Sequence, residues 1–310
     1  MADIVICEFM DDAALDGLKQ RYSVLYDPTL VDTPDRLHAE LAEAMALIVR
    51  NRTQVRAGLL DHAPRLRCVG RLGVGLDNID LDECRRRNVT VHPATGANNL
   101  SVVEYVLTAA LMLLRGAWLS SAAVASGSWP RQALIGRELA GGTMGLVGFG
   151  AIAREVSAKA RALGMEVVAY DPHVPAGDQA WQQARNVSFN ELLQAADVVS
   201  LHVPLTPETT RMIGAAEISG MKPGAILINA ARGGIVDEEA LAGALKAGKL
   251  GGAALDVFET EPLTAEAGAK FVGVPNLVLT PHIAGVTEES NVRVSEVIAN
   301  KIMAELEGAR

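Results

Sequence analysis

Three short segments carry the residues best suited to chemistry. Asn229-Ala230-Ala231-Arg232-Gly233-Gly234 delivers an arginine from an apolar run to a glycine turn. Asp256-Val257-Phe258-Glu259-Thr260-Glu261-Pro262 ends another such run in acids, and Pro281-His282-Ile283-Ala284-Gly285 supplies a histidine. A guanidinium grips a carboxylate through two parallel hydrogen bonds. A histidine beside a carboxylate is held in orientation and gains proton affinity, which suits a group that gives a proton and takes it back. Singly, each residue has a bland reading: Arg232 as a cap, Glu261 as a solvated acid, His282 as a satisfied loop histidine. A fourth segment changes that balance.

That segment is Thr143–Asp171, read as strand, turn, helix and strand. An apolar run, Met144–Val147, enters Gly148-Phe149-Gly150, and helix-period residues Ala151–Leu163 follow and stop at Gly164. A second apolar run, Val167–Tyr170, then ends in Asp171. This is the context a dinucleotide fingerprint needs. Gly148 makes the tight turn, Gly150 admits the pyrophosphate, and the N–H groups of Ala151 and Ile152 open a helix with its positive dipole end. Asp171 would accept hydrogen bonds from the ribose hydroxyls and repel a 2′-phosphate, so NAD is the expected cofactor. Ala153 replaces the third glycine and is expected to loosen helix–strand packing slightly.

The elements that must position these residues alternate along the whole chain. Strands are predicted at Asp3–Cys7, Ser23–Tyr26, Ala46–Val49, Arg67–Gly70 and Val89–Val91, with helices at Asp11–Arg21, Thr33–Ala44, Val55–His62 and Leu81–Arg87. Thr33 is the expected N-cap of its helix, with Pro34 at the first position. Asn99–Leu114 predicts a long helix capped by Asn99 or Ser101 with Glu104 in its first turn, too apolar to face solvent and so packed between domains and subunits. Further strands fit Asp197–His202, Ala225–Asn229, Ala253–Val257 and Leu277–Thr280; helices fit Phe189–Ala195, Asp237–Ala247 and Glu288–Leu306. Such alternation predicts an α/β fold of two doubly wound parallel-sheet, Rossmann-like domains with a cleft between them. The expected division is residues 1–98 with 285–310 as substrate domain and 99–284 as NAD domain. Ligands in such sheets sit at C-terminal strand ends, where Arg50-Asn51-Arg52 and Arg71–Gly75 fall.

With 310 residues, 49% of them apolar, the chain can bury two cores. A net charge of −9 argues against nucleic acid or an anionic membrane as partner. Cys7, Cys68 and Cys84 show neither metal nor redox spacing, so no metal site is expected and a reducing cytoplasm is. No basic leader precedes the first strand, and Val106–Leu114, the most apolar stretch, is far too short to span a bilayer.

Together these segments resemble the D-isomer-specific 2-hydroxyacid dehydrogenases, most of all their 3-phosphoglycerate dehydrogenase branch, over nearly the whole chain. Gly70–Asn78 looks like that branch's substrate loop and Ser101-Val102-Val103-Glu104 like the start of its interdomain helix; Gly148–Ala153, Asn229–Glu238, Leu255–Pro262 and Pro281–Gly285 look like its signature segments. The resemblance implies that Arg232 holds the substrate carboxylate together with the Val74 and Gly75 amides, that His282 is the acid/base and that Glu261 is its partner. It implies cofactor contacts from Val203, Pro204, Ala230, Asp256, His282, Ala284 and Gly285. It further implies a homodimer in which Arg131 reaches the partner's substrate. Pro281 stands where formate dehydrogenases carry glutamine, and Val74 and Val203 stand where relatives often carry threonine. The chain ends at Arg310 without the regulatory domain of longer phosphoglycerate dehydrogenases, so serine feedback is not expected. Arg50, Arg52, Arg71 and Arg131 exceed what one carboxylate requires, so a second anionic group on C3 is expected: 3-phosphoglycerate or (S)-sulfolactate. Glyoxylate, hydroxypyruvate or another small acid is the alternative, and an NAD-sensing corepressor the remote one.

Overall fold

A computed structural model describes residues 2–116, 118 and 120–308; Met1, Ala309 and Arg310, which the expected substrate domain includes, lie outside the described residues. The chain divides into two compact units, Met1–Asn98 with Val286–Arg310, and Asn99–Gly285.

The first unit holds β1 (Ile4–Ile6), β2 (Val24–Tyr26), β3 (Ala46–Val49), β4 (Cys68–Arg71) and β5 (Thr90–Pro93), all parallel, in the order β2-β1-β3-β4-β5. β1 and β3 are unbroken apolar runs because helices cover both sheet faces. Leu37, Leu41, Leu59 and Leu60 pack on one face, and Leu15, Leu18, Ile298 and Ile302 on the other. The helix Glu288–Glu307 reaches this sheet closely because β4 contains Gly70: a Cβ there would lie 2.5 Å from Ile298 Cγ2.

The second unit holds β6 (Thr143–Val147), β7 (Glu166–Tyr170), β8 (Arg185–Asn186), β9 (Val198–Leu201), β10 (Ile226–Asn229), β11 (Gly252–Leu255) and β12 (Leu277–Leu279). All are parallel, in the order β12-β11-β10-β9-β6-β7-β8. Helices Asn99–Arg115 and Ala151–Ala162 share a core with Met144, Leu146, Ile228 and Ala254 on one face. The α/β class and the two doubly wound parallel sheets are those the alternation predicts. Gly164, at φ +86°, closes the 151–162 helix: its N–H reaches Arg161 O and the next N–H reaches Ala160 O. Ala153 is completely buried in this core, its methyl part of the packing.

Local details depart from the sequence reading. The Thr33 hydroxyl donates back to the Thr29 and Leu30 carbonyls and does not cap the helix that Pro34 begins. Asn99 is already the first residue of its helix, so neither it nor Ser101 is the cap, and Glu104 lies beyond the first turn. The helix expected from Val55 starts at Ala57, because Val55 is drawn into an extended bridge to Ile79 and donates to Asn78 O at 2.9 Å. Gly285 falls in the second unit, one residue past the expected boundary, because the Ile283 and Ala284 amides beside it are bonded to Asp256 at the end of β11. The two-residue β8 and the short helices Ser121–Ala125, Ala215–Gly220 and Ala265–Gly268 carry too few residues to show a period.

Candidate active site

In the second unit the strand order reverses between β6 and β9, and the glycine turn sits at that point. Gly148, at φ +86°, has no room for a side chain: a Cβ would come within 2.6 Å of His202 O and 2.9 Å of Val203 Cγ1. Gly150 is the opposite case. A Cβ there would meet nothing within 4 Å, so protein packing does not require glycine at this position. Gly150 is the N-cap of the 151–162 helix, whose first turn has neither a side-chain cap nor an acid. The Ala151 and Ile152 end of that helix therefore offers uncapped amides and a positive dipole to an approaching anion. Asp171 is fixed by two amides, Phe149 N–H to Oδ2 at 2.8 Å and His173 N–H to Oδ1 at 2.9 Å, with lone pairs left for hydroxyl donors. Val203 and Pro204 follow β9 and Ala230 follows β10, on the same sheet edge. Space at Gly150, bare amides and a fixed carboxylate fit the pyrophosphate and ribose of a dinucleotide.

Farther along this edge, β10, β11 and β12 present the arginine, the glutamate and the histidine. Asn229, almost wholly buried, folds the first loop: its amide donates to Arg232 O at 2.9 Å and accepts from Ala231 N at 3.1 Å. Arg232 Nη1 donates to Ala231 O at 2.6 Å. In the next loop Glu261 Oε1 accepts from Phe258 N at 3.0 Å, and its Oε2 lies 2.7 Å from His282 Nδ1. Burial raises the Glu261 carboxyl, but the His282 and Phe258 hydrogen bonds and the His282 and Arg232 charges outweigh it and hold it below its ordinary range. An ionised carboxylate only accepts, so Nδ1 carries the hydrogen and Nε2 is the nitrogen left to exchange a proton. The His282 side chain is 44% exposed, open to a reactant.

Asp256, 1% exposed, organises the histidine turn. Its carboxylate accepts from Thr280 Oγ1 at 2.6 Å, Ile283 N at 2.8 Å and Ala284 N at 2.7 Å, while its carbonyl accepts from His282 N at 2.8 Å. These bonds hold His282 at φ +56°. Thr280 gives its hydroxyl hydrogen to Asp256, so in the 2.7 Å contact with Tyr105 the phenol is the donor. Neither Tyr105 nor Thr280 announced itself in the sequence. An acid ending a buried strand, as at Asp256, was the available signal.

In the first unit the strand order reverses between β1 and β3, and the segments after them, Cys7–Phe9 and Arg50–Thr53, flank that point. Glu8 was not anticipated. Its buried carboxylate accepts from the amides of Arg50, Arg52 and Thr53 at 2.8, 3.2 and 3.1 Å, and Asn78 donates to the Arg50 and Thr53 carbonyls. Arg50 reaches Asn291 Oδ1 at 2.9 Å and lies 5.5 Å over the Phe9 ring. Arg52 is engaged on both oxygens of Asp32, and Asn51 is exposed. Arg71 Nη1 donates to Leu72 O and occupies the space a side chain at Gly73 would need. Val74 is exposed and Gly75 half-buried beyond it. Arg131 lies exposed in an irregular stretch of the second unit, near Trp129. Burial pushes the Cys7 and Cys68 thiols up to about 12, so neither is a nucleophile. No helix among the described residues is long and apolar enough to cross a membrane.

Residues 107–284 match the model of the D-isomer specific 2-hydroxyacid dehydrogenase NAD binding domain. The chain is 55% identical to an (S)-sulfolactate dehydrogenase of Chromohalobacter salexigens, over 97% of each protein. It is 37% identical to a D-3-phosphoglycerate dehydrogenase of Archaeoglobus fulgidus over 97% of this chain, which spans 56% of that protein. Among solved structures, a D-lactate dehydrogenase of Aquifex aeolicus complexed with NAD and lactic acid superposes with a TM-score of 0.84 at 29% identity, over 98% of this chain and 95% of that one. The chain is thus an NAD-dependent oxidoreductase and belongs to the D-isomer-specific 2-hydroxyacid dehydrogenase family.

Proposed function

We propose that this dehydrogenase interconverts (S)-sulfolactate and its 2-oxo acid. The observation that carries the substrate is the 55% identity, over 97% of both chains, to a sulfolactate dehydrogenase. The stereochemistry agrees with a D-specific family. Sulfur on C3 outranks the carboxyl group in the priority order, so (S)-sulfolactate has the spatial hand of D-3-phosphoglycerate.

Bound NAD supplies the hydride acceptor at nicotinamide C4. Arg232 grips the substrate carboxylate as a fork, with the Val74 and Gly75 amides in support, and so fixes the face that C2 presents. His282 Nε2 takes the C2 hydroxyl proton, and the Glu261 carboxylate on Nδ1 stabilises the imidazolium that forms. In the reverse direction the same nitrogen returns that proton to the carbonyl oxygen. Asp256 keeps His282 in place. Arg50 and Arg71 recognise the second anion, and a homodimer would let Arg131 serve the partner's site. The cytoplasm is the compartment that three unpaired cysteines suit.

A panel of (S)-sulfolactate, D-3-phosphoglycerate, D-glycerate and D-lactate, followed by NADH absorbance, tests the substrate. Sulfolactate should lead in kcat/KM by about tenfold or more, the scale on which a pocket separates near-isosteres; a lead for glycerate or lactate would overturn the reading. The same assay tests the role of Asp171. Its carboxylate would face a 2′-phosphate, and a clash of a few kcal/mol gives on the order of 10² preference for NAD over NADP. Equal kcat/KM with the two cofactors would remove Asp171 from that role.

A further inference from the structure

Resting on the sulfolactate reading, we propose that Asp32 is a specificity-determining residue: by clamping Arg52 it leaves the anion-binding strand ends of the first unit matched to a sulfonate and poorly matched to a phosphate dianion. Two observations meet here. The first is position: Arg50–Thr53 follows β3 and Glu8-Phe9 follows β1, the two strands between which the sheet order reverses and outside which open α/β sheets take their ligands. The second is charge. That point gathers two cations, Arg50 and Arg52, and two anions, the buried Glu8 and the exposed Asp32.

The two arginines are not equivalent. Arg50 uses a single nitrogen on the neutral Asn291 and lies over the Phe9 face, so its guanidinium is not forked on any carboxylate and feels the Glu8 charge only through space. Arg52 faces Asp32 with both terminal nitrogens, Nη1 to Oδ2 at 3.3 Å and Nη2 to Oδ1. This fork-to-fork arrangement is the one it would otherwise offer to an oxyanion. Hydrogen bonding to Arg52, joined by its charge, outweighs a small burial effect and holds the Asp32 carboxyl below its ordinary range, so the clamp stays ionised at neutral pH. Glu8 cannot act in the same way. Its carboxylate is consumed by the backbone amides of Arg50, Arg52 and Thr53 and shapes the loop.

A sulfonate carries one charge on three oxygens, which Arg50 can meet at these strand ends without Arg52. A phosphate monoester carries close to two at neutral pH. The second charge would have to pull Arg52 from Asp32, leaving that carboxylate uncompensated, or go without Arg52 as a partner. Asp32 therefore costs the dianion more than the monoanion, and discrimination arises from a repulsive element beside an attractive one. The pair is solvent-exposed, with both side chains more than half accessible, so the effect is modest and screened by salt.

The test compares wild type, Asp32→Asn, Asp32→Ala, Arg52→Gln and the Asp32→Asn/Arg52→Gln double variant. Each is assayed for kcat/KM on D-3-phosphoglycerate, (S)-sulfolactate and D-lactate with NAD at low and high ionic strength. Both Asp32 variants should raise the phosphoglycerate-to-sulfolactate ratio by about three- to tenfold, the range that releasing an exposed ion pair opens to a better-matched ligand. The gain should vanish in the double variant and shrink in high salt. An unchanged ratio, or a gain that survives loss of Arg52, would overturn the clamp. Because the readout is the change in ratio on removing Asp32, it is independent of which substrate wild type prefers. A wild-type preference for lactate sinks the substrate reading alone, and an unmoved ratio sinks the clamp alone.

Discussion

Replacing His282 with alanine should lower kcat by roughly 10²–10⁴, the usual contribution of a positioned acid/base, while NAD affinity stays within a few-fold. The asymmetry follows from placement. His282 stands after β12 with Nδ1 on Glu261, whereas the glycine turn and Asp171 lie after β6 and β7, on the other side of the strand-order reversal. Turnover in stopped-flow and NAD binding by fluorescence titration separate the two effects; near-normal turnover would remove His282 from its role. Glu261→Gln refines the same expectation. The Glu261 carboxyl titrates below its ordinary value of 4.5, so its bond to a protonated His282 is at full strength above that pH and is lost as pH falls through the depressed value. A neutral amide no longer favours the imidazolium. The acid limb of the oxidation profile should therefore move to lower pH, with kcat reduced. An unmoved profile would make Glu261 a purely structural residue.

What the sequence disclosed about this arrangement, and what it hid, divides by physical origin. Parallel strands covered on both faces are apolar runs with at most one polar residue here, so β1, β3, β6, β9 and β10 were legible, and the residues following them fell at the C-terminal sheet edge. Arginine, glutamate and histidine stood out because few residue types suit the proposed chemistry. The resemblance supplied the Glu261–His282 pair, which stands at 2.7 Å; the other pairings were not legible. Asp256 was expected to contact the cofactor; in the fold its carboxylate gathers three donors that build the histidine turn, partners 24 to 28 residues away in sequence. Arg52 was expected at the substrate and grips Asp32, 20 residues earlier. Side-chain partners at such separations are chosen by the folded backbone, and local patterning carries no record of them. The misplaced cap at Asn99 has a different cause. Asn and Ser both favour caps, and propensity alone does not say which of several polar residues leads the first turn.

Gly233→Ala should be nearly as damaging as loss of a charged residue, although it adds one methyl group. Gly233 lies between Arg232 and a loop that follows another strand, and a Cβ there would sit 1.7 Å from Phe258 O and 2.2 Å from its carbonyl carbon. These are backbone atoms, and no rotamer change relieves the contact. Phe258 is also the residue whose N–H holds Glu261, and the adjacent Glu259 N–H is anchored on the buried Glu238, which Lys270 neutralises. The methyl must therefore move either the Arg232 turn or the Glu261 loop. Displacements near 1 Å at reacting groups cost about 10² in rate, and overpacking a tight contact costs about 1–3 kcal/mol of stability, or several degrees in Tm. Gly243→Ala is the matched control: it lies in the Glu238–Lys246 helix with nothing within 4 Å of its Cβ, and it should raise stability by about 0.5–1 kcal/mol with kcat/KM unchanged. Gly150→Ala separates a third effect, since space exists there in the protein and, on the proposed cofactor site, the methyl would instead meet the pyrophosphate. It should keep Tm while raising the KM for NAD. If Gly233→Ala retained kcat/KM within threefold, the close contact between the arginine and glutamate loops would not be what sets their spacing.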